Sequence, residues 1–189
     1  MPTYIIEHLE PKLWKWCVIE YTHISQMVGK QNVWITNLKK GSTELQKYGK
    51  VIRKSVVQVL LSNVCVLDPD AKKILTPADA KKFDYYIFGG ILGNDPPQKR
   101  TGPELTSQFK YPIETRNIGQ KQMSTDNAVA AVQQIVNGKR FERLPFQDGI
   151  EIDLKEGESI MFPYRYLLVD GKPLVSKELI KYLRRKKGI

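Results

Sequence analysis

The chain has 189 residues, 41% hydrophobic and 26% charged, enough to bury one sizeable core, so a single domain over 1–189 is the default expectation. Its 30 Lys plus Arg against 20 Asp plus Glu leave a net charge of +10, which suits a polyanionic partner and says nothing of fold. No run of about 18 to 20 uncharged apolar residues exists and the opening Met1 to His8 has no signal-peptide pattern, while two cysteines without Cys-x-x-Cys spacing and two histidines argue against a zinc site or a Ser-His-Asp triad; the expectation is a cytoplasmic, non-membrane, metal-free protein.

Periodicity alternates between strand and helix from the start, the pattern of an α/β protein. Tyr4 to His8 reads as a strand, and Leu13 to Gln26, apolar every third or fourth residue, as a helix ending near Gly29. Val33 to Thr36 is the next strand. Leu45 to Leu61 is expected to be helical, with Gly49 and the β-branched pair Val56 and Val57 blurring its ends. Val64 to Leu67 follows as a strand, Thr76 to Ala80 as a helix start with proline in its first turn, and Asp84 to Phe88 as a strand. Both cysteines, Cys17 and Cys65, sit in apolar company, where a free thiol behaves as a small buried hydrophobe. His23 sits late in its helical stretch and suits a cap or a surface contact as well as catalysis.

After that strand comes Gly89-Gly90-Ile91-Leu92-Gly93-Asn94-Asp95-Pro96-Pro97, continuing through Arg100 to Pro103, a loop long enough to be functional in a compact domain. A strand is expected over Pro112 to Ile118 and a helix over Thr125 to Val136, stopped by Gly138. Short apolar runs at 149–154, 159–162 and 166–169, with an Asp170-Gly171 turn before 172–175, suggest an antiparallel addition. A last helix begins at Ser176, carrying Glu178 in its first turn and Lys181, Arg184, Arg185, Lys186 and Lys187 toward its end, the charge order that suits the helix dipole.

Ligands of open α/β sheets bind at the carboxyl ends of strands, and glycines there let backbone approach a ligand. Gly89 to Gly93 is placed for this, although it matches neither the dinucleotide fingerprint nor the P-loop, and a turn needing positive φ explains such glycines equally well. Arg116 to Ala128 is a second strand, Gly loop and helix start, in which Asp126 also has the ordinary role of a first-turn carboxylate. Two such loops could converge on one small ligand.

The run Phe88-Gly89-Gly90-Ile91-Leu92-Gly93-Asn94-Asp95-Pro96-Pro97 with Arg100-Thr101, then Arg116-Asn117-Ile118-Gly119 and Gln122-Met123-Ser124-Thr125-Asp126-Asn127-Ala128, resembles the SPOUT methyltransferase superfamily. More narrowly it is similar to the branch that contains a eukaryotic protein arginine methyltransferase acting on a small-subunit ribosomal protein. The resemblance implies a mostly parallel sheet with a C-terminal deep trefoil knot over about residues 85–140, followed by strands and a helix over 149–187. It implies that S-adenosylmethionine is held by three loops and released as S-adenosylhomocysteine. Gly89, Gly90, Ile91, Leu92 and Gly93 would form the first loop, Ile118 and Gly119 the second, and Gln122, Met123, Ser124 and Thr125 the third. Met123 serves equally as core filling.

A guanidinium keeps its proton to above about pH 12 and must be held by carboxylates before one nitrogen can attack. Asp95 is the first choice for that role, with Glu104 behind it, although an Asn-Asp-Pro-Pro turn accounts for Asp95 as well. Arg100 is a substrate-side residue, and Arg100 and Arg116 would hold phosphates if the substrate were RNA. Met161 to Tyr166 resembles a C-terminal element of the branch and, with Glu158, could close the substrate side, while aromatic packing explains its rings. The basic tail at 181–187 is a solvated helix end or a ribosomal RNA contact. The leading expectation is a monomeric arginine methyltransferase acting on a small-subunit ribosomal protein or the ribosome. An RNA methyltransferase and a non-catalytic ribosome- or RNA-binding protein are the alternatives.

Overall fold

Side-chain alternation in the first strands builds two apolar faces, as the structure, a computed structural model describing residues 1–38, 43–154 and 157–185, makes plain. In β1 (Thr3–His8), Tyr4 and Ile6 join one core while Ile5 joins another. With β2 (Val33–Thr36), β3 (Lys50–Val51), β4 (Val64–Leu67), β5 (Tyr85–Gly90) and β6 (Glu114–Arg116), β1 forms a six-stranded sheet in the order β3-β2-β1-β5-β4-β6. Every pairing is parallel. Cys65, Leu67, Tyr86 and Phe88 share the face of Tyr4 and Ile6, whereas Val64, Val66 and Ile87 share that of Ile5. A sheet covered on both sides explains why its strands read as almost unbroken apolar runs.

The first face is covered by α1 (Lys15–Val28) and α4 (Thr125–Val136), which supply Tyr21, Ile24, Val129, Val132 and Ile135 to the core. Between them in sequence lie two short helices, α2 (Pro77–Ala80), capped by the Thr76 hydroxyl with Pro77 at its first position, and α3 (Thr101–Glu104). The second face is covered by connecting segments that carry Val56, Leu105, Phe109 and Ile113. The C-terminal part is antiparallel: β7 (Phe146–Asp153), β8 (Ser159–Val169) and β9 (Lys172–Pro173) pair in that order, followed by α5 (Lys177–Arg185). Ile150, Ile152, Phe162, Tyr166, Leu179 and Leu183 from this unit pack on Ile19 of α1. Lys186 and Lys187, expected to extend the basic tail, lie outside the described residues.

Three expected elements differ. Leu45 to Leu61 is not a helix: a short turn at Glu44–Lys47 leads to β3 and to another turn at Val56–Gln58. A Cβ on Gly49 would stand 2.7 Å from the Val33 carbonyl oxygen, so glycine lets the chain run tightly along β2. Beyond it, the buried Glu7 carboxylate accepts the Val56 N–H at 2.9 Å, a bond that would be spent within a helix. The runs 159–162 and 166–169 are one strand, carried through Pro163, and β7 starts at Phe146, with its register shifting around Gly149. The strand expected over 112–118 is confined to β6.

Residue 117, just past β6, sits within the bend of residues 68–75. The Asn117 N–H donates to the Lys73 carbonyl at 2.8 Å, its carbonyl accepts from Leu75 N–H at 2.9 Å, and its side-chain amide donates to the Ala71 carbonyl at 2.7 Å. The carboxyl ends of β4, β5 and β6 are thereby gathered side by side.

Candidate functional site

At those three strand ends lies a cavity of about 290 Å³, near the small end of ligand sites, which run from about 300 to 1,000 Å³. The bend after β4 contributes Asp68 and Asp70, the end of β5 and the loop after it contribute Gly89, Ile91, Leu92, Gly93 and Arg100, and the segment after β6 with the start of α4 contributes Ile118, Gly119, Gln122, Met123 and Thr125. Leu67, Phe88, Ile91, Leu92, Ile118 and Met123 make one apolar wall, while glycine backbone and the two aspartates supply polar groups around it. Such a lining suits a flat heterocycle joined to a polar, partly cationic chain.

The loops are tied to one another. Glu10, just beyond β1, accepts the Leu92 N–H at 3.0 Å and an Arg100 N–H at 2.9 Å. Arg100 also grips Glu104 with two bonds, at 2.7 and 3.0 Å. Gln122 is a second tie: its side-chain amide donates to the Asn94 carbonyl at 3.0 Å, and its own carbonyl accepts the Arg165 N–H of β8 at 2.8 Å. Asp68 accepts Asp70 N–H at 2.9 Å and the Thr106 hydroxyl at 2.6 Å, and Lys99 reaches Asp70 at 2.7 Å. Gly119 has φ +85° and donates its N–H to the Asn117 side chain at 3.0 Å, a turn that favours glycine.

Of the residues singled out in the sequence, the structure thus places Gly89, Ile91, Leu92, Gly93, Ile118, Gly119, Gln122, Met123, Thr125 and Arg100 on one cavity. Gly90 and Ser124 are not on its wall. Gly90 faces the interior, where an added Cβ would meet the Tyr21 hydroxyl at 2.4 Å, so its missing side chain makes room for packing. Ser124 directs its hydroxyl to Asp126 at 2.5 Å instead of capping α4. Asp95 is exposed, and its charge acts on the Tyr164 hydroxyl beside the first loop. Glu104 stands behind Arg100, away from the wall.

Glu158 is not brought to the site. It lies in the β7–β8 connection, where its carbonyl accepts Leu154 N–H, six residues from Tyr164 along an extended strand, a separation of about 20 Å. Arg100 and Arg116 are not free to hold phosphate. Arg100 is taken up by Glu10 and Glu104, and Arg116, buried, by Asp79 and Glu114. Burial pushes the thiols of Cys17 and Cys65 up to about 12, as expected of inert packing residues. Among the described residues no group of three His, Cys, Asp or Glu is placed to hold a metal, and no helix is long and apolar enough to cross a membrane.

Sequence reading missed Glu10, Asp68 and Asp70, which precede any recognisable loop signature, and it missed Glu20. Glu20, on α1, is 6% exposed and accepts the Trp16 indole N–H at 2.8 Å. Burial first, then the nearby Asp126 carboxylate, pushes its carboxyl up to about 8. His23 meets Asp126 at 2.7 Å, which joins α1 to the start of α4.

The sequence model of the family described as "Protein arginine N-methyltransferase SFM1-like" matches residues 3–188. The protein arginine N-methyltransferase SFM1 of Saccharomyces cerevisiae is 35% identical over 201 aligned positions, covering 96% of this chain and 94% of that protein. A crystal structure of the yeast arginine methyltransferase SFM1 complexed with SAH superposes with a TM-score of 0.87 at 34% identity, covering 96% of this chain and 94% of the other. The same enzyme complexed with SAM gives 0.88 at 34% identity, covering 97% and 90%.

Proposed function

The chain belongs to the SFM1-like family of protein arginine N-methyltransferases, and on that premise we propose that it transfers a methyl group from S-adenosylmethionine to a protein arginine, leaving S-adenosylhomocysteine. The observation that carries the reading is the cavity at the ends of β4, β5 and β6, whose apolar wall, exposed backbone and paired aspartates fit the cofactor's adenine, ribose and charged amino acid part. When bound, the cofactor supplies a methyl group activated by its sulfonium. Leu67, Ile91, Leu92, Ile118 and Met123 would flank the heterocycle, and backbone groups around Gly89, Gly93 and Gly119 would be available to hydrogen-bond to it. Asp68 and Asp70 complement the positive charge. The Glu10 and Gln122 ties hold the loops in place beforehand, so orientation, the larger part of catalysis for such a displacement, is built into the fold.

The acceptor is proposed to be an arginine of a small-subunit ribosomal protein, with the net charge of +10 drawing the enzyme to the ribosome in the cytoplasm. The first loop, the second loop and α4 are proposed to be part of a trefoil knot within a single domain over 1–189. The bend 68–75 that encloses residue 117 supports this reading. A monomer is proposed because β7, β8 and α5 already cover the outer side of α1.

The test is incubation with methyl-labelled S-adenosylmethionine and unmethylated small ribosomal subunits, followed by hydrolysis and chromatography. Label in methylarginine is expected. Label in a nucleoside would make the protein an RNA methyltransferase, and cofactor binding with no transfer would reject the ribosomal acceptor.

A further inference from the structure

The first loop has two supports, and both run back to one side chain. Gly90, where the loop leaves β5, lies opposite His8 in the register of β1 and β5, and its carbonyl accepts the Leu9 N–H at 3.2 Å. The space a side chain at Gly90 would need is filled by the Tyr21 hydroxyl, which meets His8 Nδ1 at 2.9 Å with the two rings edge to face. The second support is Glu10, two residues past His8, whose carboxylate holds the Leu92 N–H and the Arg100 guanidinium. His8 itself is 4% exposed. Its Nε2 is the one buried side-chain nitrogen or oxygen among the described residues with no hydrogen-bond partner, although the Lys12 carbonyl lies toward the ring. A buried polar atom left unpaired lowers stability, so packing alone gives no reason for a histidine here.

We propose that His8 is a positioning residue of the cofactor site: uncharged, it anchors the Tyr21 hydroxyl beneath Gly90 and leaves Glu10 on the first loop, and on taking a proton it breaks up the first support and draws Glu10 from the second. The inference rests on the cavity being the place where S-adenosylmethionine binds. In the uncharged ring one nitrogen accepts, and the Tyr21 hydroxyl, kept protonated by its burial, donates to Nδ1 while the ring proton sits on Nε2. A charged ring carries N–H groups on both nitrogens, so Nδ1 can only donate and the hydroxyl proton must turn elsewhere. The new charge also attracts the Glu10 carboxylate, in competition with Leu92 and Arg100. The groups facing His8 are Tyr21 from α1, with Cys17 one turn earlier beside it, Gly90 from β5, and Glu10 and the Lys12 carbonyl from the segment after β1. Glu7 turns to the opposite face of the sheet, on Thr36 and Val56, and the Lys12 ammonium lies over the Trp14 ring at 3.7 Å. Burial holds the imidazole below its ordinary 6.5 and Glu10 opposes this, so the ring is uncharged at neutral pH and takes its proton as pH falls.

The test measures S-adenosylmethionine affinity by calorimetry between about pH 7.5 and 5 in the unsubstituted protein, His8→Asn and Glu10→Gln. His8→Asn keeps a group that can bond the Tyr21 hydroxyl and never carries a charge. Affinity should weaken by about tenfold over that range in the unsubstituted protein and by less than about twofold in His8→Asn. Glu10→Gln should bind more weakly at the higher pH and lose the same pH dependence, because the carboxylate that a charged His8 would draw is gone. A merely structural histidine would lower unfolding stability in His8→Asn and leave the pH dependence of affinity in place. The ring itself gives a second readout. His8 and His23 are the two histidines of the chain, and the NMR spectrum of His8→Asn tells them apart. The His8 midpoint should lie below 6.5 in the empty protein. Bound cofactor should move it lower by about one pH unit, since a tenfold preference of the cofactor for the uncharged ring works in both directions. Equal pH dependence in the unsubstituted protein and His8→Asn, or a His8 midpoint that the cofactor does not move, would overturn the role of His8 and leave the cavity as the cofactor site. No S-adenosylmethionine binding by the unsubstituted protein at any pH would remove the cavity reading and this inference with it.

Discussion

The guanidinium of Arg100 meets the carboxylate of Glu10 at 2.9 Å across 90 residues of sequence, and the same carboxylate oxygen accepts the Leu92 N–H at 3.0 Å. An arginine that the sequence offers as a phosphate or substrate contact is instead a brace for the first loop. Its side chain is held further by Glu104, and these partners keep its charge firmly in place. Arg100→Ala should therefore weaken S-adenosylmethionine binding by about tenfold, the scale of a partly buried charge-assisted bond. Calorimetry checks this, and unchanged affinity would show that the brace does not set the loop.

Gly90 is expected to act through packing. Gly90→Ala places a methyl group on the Tyr21 hydroxyl, 2.4 Å away, and should destabilise by about 1 to 3 kcal/mol in urea unfolding. Tyr21→Phe removes the oxygen, so the double variant should be more stable than the two single losses sum to. Additive losses would place the strain elsewhere.

Gly119 is held by its backbone. With φ at +85° and a Cβ position 2.8 Å from the Phe141 ring, Gly119→Ala should cost at least about 1 to 2 kcal/mol and also weaken cofactor binding. Phe141→Ala in the same chain relieves the contact and leaves the φ strain, so only part of the loss should return.

The Arg116–Asp79 pair predicts acid sensitivity. Hydrogen bonds from the Arg116 guanidinium hold the Asp79 carboxyl down to about 2, below its ordinary 3.8. A depressed folded pKa contributes stability that is present above the unfolded value and lost as pH falls through the folded one. Stability should drop between about pH 4 and 2, and Asp79→Asn should flatten that limb while lowering stability at neutral pH. Thermal unfolding at low salt against pH measures both.

Much of this was legible locally. Strand periodicity located β1, β2, β4 and β5, and the apolar stripe with its Gly138 stop located α4, because those signals come from residues that share one hydrogen-bonded element. The run from Phe88 to Pro97 with the Gly119 loop carried the family resemblance that the comparison with SFM1 bears out. The helix expected over 45–61 failed because its decisive partners are distant. Val56 N–H is satisfied by Glu7 and residues 50–52 by β2, and no window around residue 50 contains either.

The site divides the same way. Glycines after two strands, polar residues after them and an excess of basic charge are properties of chain segments, and the sequence alone determined that those segments are loops at strand ends in a parallel α/β sheet. Which loops meet was decided by sheet order, since β6 pairs with β4 and not with a sequence neighbour, and so brings Gln122 to Asn94 and Gly119 to the cavity that Gly93 also lines. Sheet order likewise turned Gly90 inward and spent Arg100 on Glu10. It left Glu158 at the far end of a hairpin. Glu20 shows the limit most clearly: on a helical wheel a glutamate counts as a solvent-facing residue. Only the packing of α4 and β8 over α1 removes water from it, and removal of water is what raises its pKa.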